Sequence, residues 1–364
     1  MQENRAYDHY FGTLSGVRGF NDRTTVPMPT GLDAFHQPTN TSDYSQYQLP
    51  FLAEPNKTAA MCMPAPEMYY PTDIRMWNKG RMDKWNTERD GGVGMSYFDR
   101  EGLPFYYTLY DNFAAGDQYF QSTFTCTCPN RQHLFSGSNG LSVGQAANED
   151  NTEPTPGFDW PTVAELLEEK DISWKVYQQE DNFDDNGFAW HASFQSATAG
   201  DPLYDKGMFR YKDAIEEFTK DIKADTLPQV SWIIAPAIKS EHATNHPGAG
   251  EDFTARVLKG LRSNPDVYAK TAFILNYDEG GQVRKKRRDE RSCEMSPTAA
   301  RFTRRPANPN ARASLLFPVF TPSSFVHPPH TVVGSSTITR SRLPRLSMTP
   351  RELARSPLRK RSIR

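Results

Sequence analysis

The sequence predicts an α/β fold in which a largely parallel central sheet is covered by helices on both faces. Residues from about 160 to 281 alternate between helical and extended patterns. The extended segments are short and apolar, as in strands that are buried on both faces of a sheet. The chain of 364 residues is long enough for one large domain or two smaller ones. No apolar run approaches the roughly 20 residues of a membrane-spanning helix.

Each element of this region follows from a local pattern. Before it, residues 13–110 are rich in Pro, Asn, Tyr and Met with little helical periodicity, which predicts ordered loops with short helical turns. Pro161 suits the first turn of an amphipathic helix, and two further amphipathic segments follow. Short apolar runs separate these helices. The predicted helices are 160–169, 213–224 and 251–262, and the predicted strands are 172–177, 230–236 and 271–277.

The segment from Gln282 onward differs in composition from the rest of the chain. It holds 19 of the 42 Lys and Arg residues but only 4 of the 44 Asp and Glu residues. Because such a basic, Pro- and Ser-rich sequence buries little apolar surface, we predict that 282–364 is disordered and that residues 1–281 form the domain. Only 313–320 could form a strand, so the strand ending at Tyr277 is expected to be short of its native neighbours and to leave a sheet edge exposed.

A basic run at 284–288 opens this segment. It is compatible with a nuclear-import or nucleic-acid patch, although a solvated, disordered run is the favoured interpretation. We therefore expect no specific nucleic-acid partner.

Two short segments each place oxygen-bearing side chains next to one another. Glu3 and Asn4 lie near the start of the sequence, and Asp278 and Glu279 directly follow the last predicted strand. Functional loops of parallel sheets gather at the carboxyl ends of strands. Oxygen ligands without sulfur are typical of a hard-cation site, and a hard cation assists phosphate-ester chemistry. Taken singly, the first pair would be a solvated terminus and the second an ordinary turn.

The four cysteines match no zinc-binding spacing. Cys126 and Cys128 are separated by one residue, and no second pair complements them. Two alternatives remain: a disulfide between Cys62 and Cys126 in an exported protein, or buried free thiols.

Four motifs in the same order resemble the phosphoesterase family of bacterial and fungal phospholipases C and acid phosphatases. They are Glu3-Asn-Arg-Ala-Tyr-Asp-His-Tyr-Phe-Gly12, Pro129-Asn-Arg131 shortly before Phe-Ser-Gly, Ser240-Glu-His242, and Tyr277-Asp-Glu-Gly-Gly281. The similarity runs over residues 2–282, and four collinear motifs are far more specific than any one of them. The resemblance implies an alkaline-phosphatase-like fold.

The resemblance also implies roles for individual residues. Thr127 stands where the family has a Ser or Thr nucleophile ahead of Pro-Asn, and a coordinated metal would activate its hydroxyl. His242, and less strongly His246, would protonate the leaving alcohol or hold a phosphate oxygen. The implied ligands of a divalent metal ion, for which Ca, Mn, Mg and Fe are all suitable, are Glu3, Asn4, Thr127, Asp278 and Glu279.

These roles have structural alternatives. Thr127 could cap a helix beginning near Asn130, and the two histidines could be ordinary loop residues. The implied substrate is a phospholipid head-group ester, hydrolysed to diacylglycerol and a phosphorylated alcohol. Acid phosphatase activity on phosphomonoesters is the near alternative.

The resemblance finally implies secretion, although no signal peptide is present in the sequence as written. In the family, an apolar strand leads into the first motif and further strands and helices follow the last. Neither is recognisable here, so we expect a domain that is incomplete at both ends. The hypothesis from a different class is an inactive fragment whose basic tail binds polyanions non-specifically.

Overall fold

The structure is a computed structural model of the chain. It describes residues 1–28, 30–40, 44–54, 67–89, 94–141 and 147–280, together with the backbone of 316–318. These residues all fall within one unit, Met1–Pro328. None of the helices in these ranges combines the length and the apolar character needed to cross a membrane.

Helices make up most of the regular structure in these ranges. The α-helices are α1 (Tyr7–Phe11), α2 (Tyr70–Trp77), α3 (Trp85–Glu88), α4 (Pro104–Tyr110), α5 (Thr127–Ser136), α6 (Val163–Glu169), α7 (Ala192–Ser196), α8 (Ala214–Lys223), α9 (Pro247–Leu261) and α10 (Pro265–Tyr268). Short 3-10 turns lie at Asn78–Gly80, Gly187–Trp190 and Ala237–Lys239, and a π turn lies at Tyr204–Met208.

The strands are short and pair two by two. They are β1 (Gln37–Pro38), β2 (Tyr47–Gln48), β3 (Phe51–Leu52), β4 (Ser96–Tyr97), β5 (Trp174–Tyr177), β6 (Val230–Ile233), β7 (Phe273–Leu275) and β8 (Leu316–Pro318). The pairs β3–β4, β5–β6 and β7–β8 are parallel, and β1–β2 is antiparallel. The predicted α/β class and the largely parallel pairing are therefore confirmed. The described residues form four two-stranded sheets rather than the single central sheet that we predicted.

The predicted alternation of helices and strands after residue 160 is present, with shifted ends. A capping box between Thr162 and Glu165 starts α6, and the Asp213 side chain caps α8. Helix α9 begins four residues earlier than predicted, because Pro247 occupies its first turn and the His246 side chain caps it.

Packing brings the first and last parts of the described domain together. Tyr10 and Phe11 of α1 share a core with Tyr106 and Tyr107 of α4 and with Tyr277, which follows β7. A second core joins α8 and α9, and a third joins α5 and α6 to β5. The chain segment containing Glu3 is therefore fixed against the end of β7.

Strand β8 tests two expectations about the basic segment from Gln282 onward. The segment that alone was predicted to form a strand does so at Leu316–Pro318, and it pairs with Phe273–Leu275. One side of β7 is therefore paired by a segment of the tail, and the expected shortage of native neighbours stays a prediction. The apolar run supplies backbone donors and acceptors that complete one side of β7. The rest of 282–364, with its predicted disorder, lies outside the described residues.

Cys126 and Cys128 are free, buried thiols, which is the second of the two alternatives for the cysteines. Burial raises the pKa of each thiol to about 12, so neither is a reactive thiolate at neutral pH. Cys62 lies outside the described residues.

Candidate active site

Backbone hydrogen bonds draw three distant segments together. Gln2 N donates to Asn276 O at 2.8 Å, and Asp278 N donates to Gln2 O at 3.2 Å. Gln2 and Tyr277 form a parallel bridge. Glu3 N donates to Ser240 O at 2.8 Å, which joins the third motif to the first. The segment carrying Glu3 thus runs beside the extension of β7.

The two pairs of oxygen-bearing residues meet as a result. Carboxylate oxygens of Glu3, Asp278 and Glu279 lie within 4.8 Å of one another. Each of these side chains is about 1% exposed, so the alternatives of a solvated terminus and an ordinary surface turn are wrong. Oε2 of Glu279 is buried without a hydrogen-bond partner among the described residues. A buried carboxylate oxygen without a donor is costly unless a cation faces it.

The side chain of Asn4 points into the same cluster. One terminal atom of its amide lies 2.6 Å from Glu3 Oε2 and 3.0 Å from Glu279 Oε1. With the amide nitrogen there, Asn4 donates two hydrogen bonds to the carboxylates. With the amide oxygen there, oxygens of three residues converge in the arrangement that a hard cation requires. Asn4 has a φ of 54°, and its backbone N–H donates to Asp278 Oδ1 at 2.9 Å.

Thr127 lies at the first position of α5, and its hydroxyl faces the cluster. Thr127 Oγ1 donates to Glu279 Oε1 at 3.0 Å, with Glu3 Oε2 at 3.5 Å. The N-cap is Cys126, with no side-chain capping bond, and the helix does not begin at Asn130. The alternative in which Thr127 serves as a helix cap is therefore wrong, since its hydroxyl bonds to carboxylates from other segments.

Arg131 is the counter-charge of the cluster, and the sequence analysis gave it no role. It lies four residues after Thr127, on the same face of α5. Its guanidinium pairs with Glu3, with Asp278 Oδ2 at 3.2 Å and with Asp185 Oδ2 at 2.9 Å. Arg131 stands in the recognised Pro-Asn-Arg motif and could have been found there. Asp185 belongs to no motif, and only the fold identifies it.

The charges in this cluster do not balance. Three buried carboxylates, of Glu3, Asp185 and Asp278, pair with one guanidinium, and the buried carboxylate of Glu279 lies beside Glu3 and Asp278. Burial and then Asp185 raise the pKa of Glu3 to about 7, and burial and then Glu3 raise the pKa of Asp278 to about 7. Burial is also the main cause that raises the pKa of Glu279 well above its usual value. A bound cation would remove this excess of negative charge.

Neither candidate histidine is hydrogen-bonded to this cluster in the part of the chain that the structure describes. His242 Nδ1 is 2.9 Å from Thr244 Oγ1, and its ring packs against Phe183. Burial and then Arg5 lower the pKa of His242 to about 4, so its imidazole is neutral at neutral pH. His246 Nδ1 accepts from Gly248 N at 3.0 Å and caps α9.

A cavity of about 150 Å³ borders the cluster at Asp278. Polar groups of Gln121, Ser122, Asn130 and His133 line it, together with aromatic side chains. His133 was not among the sequence candidates, and its pKa is lowered by burial. The cavity reaches the helix that carries Thr127 and Arg131.

The chain is similar in sequence to a family of known proteins. The sequence profile of the phosphoesterase family matches residues 1–286. The chain is 37% identical over 290 residues to the non-hemolytic phospholipase C of Pseudomonas aeruginosa. That match covers 77% of this chain and 40% of the relative. It is 34% identical over 310 residues to the hemolytic phospholipase C of that organism, in a match that covers 77% of this chain and 41% of the relative.

Phospholipase C B of Mycobacterium tuberculosis is a further relative, at 32% identity over 299 residues. That match covers 77% of this chain and 57% of the relative. The chain thus spans between two fifths and three fifths of the length of these relatives. Together, the profile match over most of the sequence and the four motifs assembled at one buried site assign the chain to the phosphoesterase family.

Proposed function

We propose that the chain hydrolyses phosphate esters as a phospholipase C-type enzyme, with Thr127 as nucleophile and an alkaline-phosphatase-like domain as scaffold. One observation carries the proposal. A hydroxyl at the start of a helix lies 3.0 Å from a carboxylate, within a buried cluster of three carboxylates from two distant segments. Such a cluster suits a hard cation, and the hydroxyl is placed to attack phosphorus beside it.

The donor set fits a divalent metal ion. Glu3, Asn4, Asp278 and Glu279 would hold it, with Thr127 Oγ1 as a further ligand. The excess of carboxylates over guanidinium groups and the unpaired oxygen of Glu279 support this fit. When bound, the metal would neutralise charge on the phosphate oxygens and on the attacking oxygen. Ca, Mn, Mg and Fe all accept these ligands.

The residues of the chain then account for the two chemical steps. Thr127 Oγ1 attacks phosphorus and passes its proton to Glu279 Oε1, the acceptor of its hydrogen bond. The bond to the alcohol breaks, the alcohol takes the proton that Glu279 accepted, and the phosphorylated head group stays bound to Thr127 as a phosphothreonine ester. Water attacks this ester, restores the Thr127 hydroxyl and releases the phosphorylated product.

His242 would serve better as a hydrogen-bond donor than as an acid. A group with a pKa of about 4 carries no transferable proton at neutral pH. With Nδ1 accepting from Thr244, the Nε2–H would be free to hold a phosphate oxygen. His246 uses Nδ1 for its helix cap and is the weaker candidate.

The names of the relatives favour a phospholipid substrate over a phosphomonoester. Phospholipase C cleaves the ester between diacylglycerol and the phosphorylated head group, which is the reaction proposed above. Secretion, the incomplete ends of the domain and polyanion binding by the basic tail stay predictions of the sequence.

The test compares a short-chain phosphatidylcholine with p-nitrophenyl phosphate as substrates, in the presence of Mn²⁺. We expect the diester to be the better substrate and Thr127→Ala to lower kcat by about a thousandfold or more. Thr125→Ala is the matched control. Thr125 is also buried and lies two residues away, but its hydroxyl bonds to Glu149.

Three results would contradict this proposal in different ways. Retention of a tenth or so of the activity by Thr127→Ala would exclude Thr127 as nucleophile. Preference for the monoester would indicate an acid phosphatase. A folded chain that binds Mn²⁺ but cleaves neither substrate would support the inactive-fragment hypothesis.

A further inference from the structure

Glu241, the central residue of the Ser-Glu-His motif, is the acceptor of a second buried network. Its Oε2 accepts from the hydroxyls of Tyr10 and Tyr277, each at 2.8 Å. Its Oε1 accepts from the Tyr106 hydroxyl and from Gln2 Nε2, the latter at 3.2 Å. Glu241 and the three tyrosines are each 0% exposed. Four donors face two oxygens, which is the pattern that an ionised carboxylate satisfies.

Two of the four donors are next to residues of the acidic cluster along the chain. Gln2 directly precedes Glu3, and Tyr277 directly precedes Asp278. Glu241 therefore binds the residue before each of the two acidic segments that form the cluster. Because a side chain and its neighbour along the backbone move together, these bonds fix the distance between the two segments.

The position of Glu241 is itself tightly determined. Its backbone has a φ of 69°, in the left-handed region that a glutamate rarely adopts. A Cβ atom added at Gly250 of α9 would lie 2.1 Å from Glu241 Cγ, so only glycine leaves room for this side chain. Backbone strain that packing holds in place is typical of functional sites.

We infer that Glu241 is a positioning residue that sets the spacing of Glu3 from Asp278 and Glu279, and thereby the affinity of the cluster for a divalent cation. The inference rests on the proposed metal site. Glu241 does not contact the cation or the substrate in this scheme. It acts through Gln2 and Tyr277, whose neighbours along the chain carry the ligands.

A pair of tyrosine variants separates positioning from general packing. Tyr277→Phe and Tyr106→Phe each remove one buried hydroxyl from the same carboxylate. Tyr277 adjoins Asp278, whereas Tyr106 belongs to α4, which carries no ligand. Both variants lose a hydrogen bond to Glu241, and Tyr106→Phe also loses the one between its hydroxyl and Thr254 Oγ1, so both are expected to unfold at lower denaturant concentration than the parent. Positioning predicts that they differ in metal affinity.

The experiment is calorimetric titration of the chelator-treated full chain with Mn²⁺, with folding checked by circular dichroism. We expect Tyr277→Phe and Glu241→Gln to weaken Mn²⁺ binding by about tenfold or more, and Tyr106→Phe to change it by less than about threefold. Glu241→Gln keeps the shape but turns one acceptor into a donor that faces hydroxyls. If this variant does not fold, the tyrosine pair decides.

Two results would overturn the inference. Parent-like Mn²⁺ affinity in folded Tyr277→Phe is one, and equal loss in both tyrosine variants is the other. A parent that binds no Mn²⁺ would overturn the inference together with the metal site. A parent that binds Mn²⁺ without hydrolysing either substrate would refute the proposed activity and leave the positioning role testable by the same titration.

Discussion

Replacement of Arg131 by methionine tests the charge balance of the cluster directly. The substitution removes the guanidinium that pairs with Glu3, Asp185 and Asp278 and leaves an unbranched side chain in its place. Arg131 is 0% exposed, so water cannot take over its hydrogen bonds without rearrangement. Breaking a buried ion pair by removing one partner costs about 3–5 kcal/mol.

The structure shows where this cost would arise and how it depends on conditions. Nε is 3.1 Å from Glu3 Oε1 and 3.2 Å from Asp278 Oδ2, and Nη1 donates to Asp185 O at 3.1 Å. Without these donors the carboxylates would take up protons, because their pKa values rise further. Protonation limits the loss at low pH, so the loss should be larger at pH 8 than at pH 5.

The assay is urea unfolding of the chelator-treated protein at both pH values, followed by tryptophan fluorescence and circular dichroism. Arg131→Lys is the matched control, since it keeps the charge but loses the planar fork, and it should lie between the parent and Arg131→Met. If Arg131→Met lowered the free energy of unfolding by less than about 1 kcal/mol at pH 8, with the same slope against urea concentration as the parent, Arg131 would not offset the buried carboxylates.

Two further predictions concern the same cluster. Asp278→Asn should weaken Mn²⁺ binding by about tenfold or more, because a neutral amide replaces a charged ligand. The control Asp252→Asn, at an exposed position, should leave the affinity unchanged. If calorimetry gave Asp278→Asn the same Mn²⁺ affinity as the parent, the metal site would be contradicted. In the chelator-treated protein, the pKa values of Glu3 and Asp278, raised to about 7, mean that the folded state binds more protons than the unfolded state between about pH 4 and 7. The free energy of unfolding should therefore fall as pH rises through this range. The urea concentration at the midpoint of unfolding measures this, and a midpoint that increases from pH 5 to pH 8 would contradict the predicted pH dependence.

Local elements of the fold were predictable because their signals are local. A capping box, such as that of Thr162 and Glu165, is a signal contained in four neighbouring residues. The N-cap Asp213 likewise bonds only to amides two and three residues further on. The start of α9 was missed because the cap is a histidine side chain, an unusual N-cap. The division into two-stranded sheets depends on pairing between distant segments, and no local pattern encodes that pairing.

The sequence alone determined which residue types and motifs are present, and these were enough to name the family and to nominate Thr127 with four oxygen-bearing residues. The tertiary structure decided how they meet, because Glu3 and Asp278 are 275 positions apart and the bridge between Gln2 and Tyr277 brings their segments side by side. It also decided which residue partly offsets the negative charge of the cluster and which residue we infer to set the distance between its parts. Arg131 and Glu241 are charged residues whose roles follow from burial, and burial is a property of the folded chain.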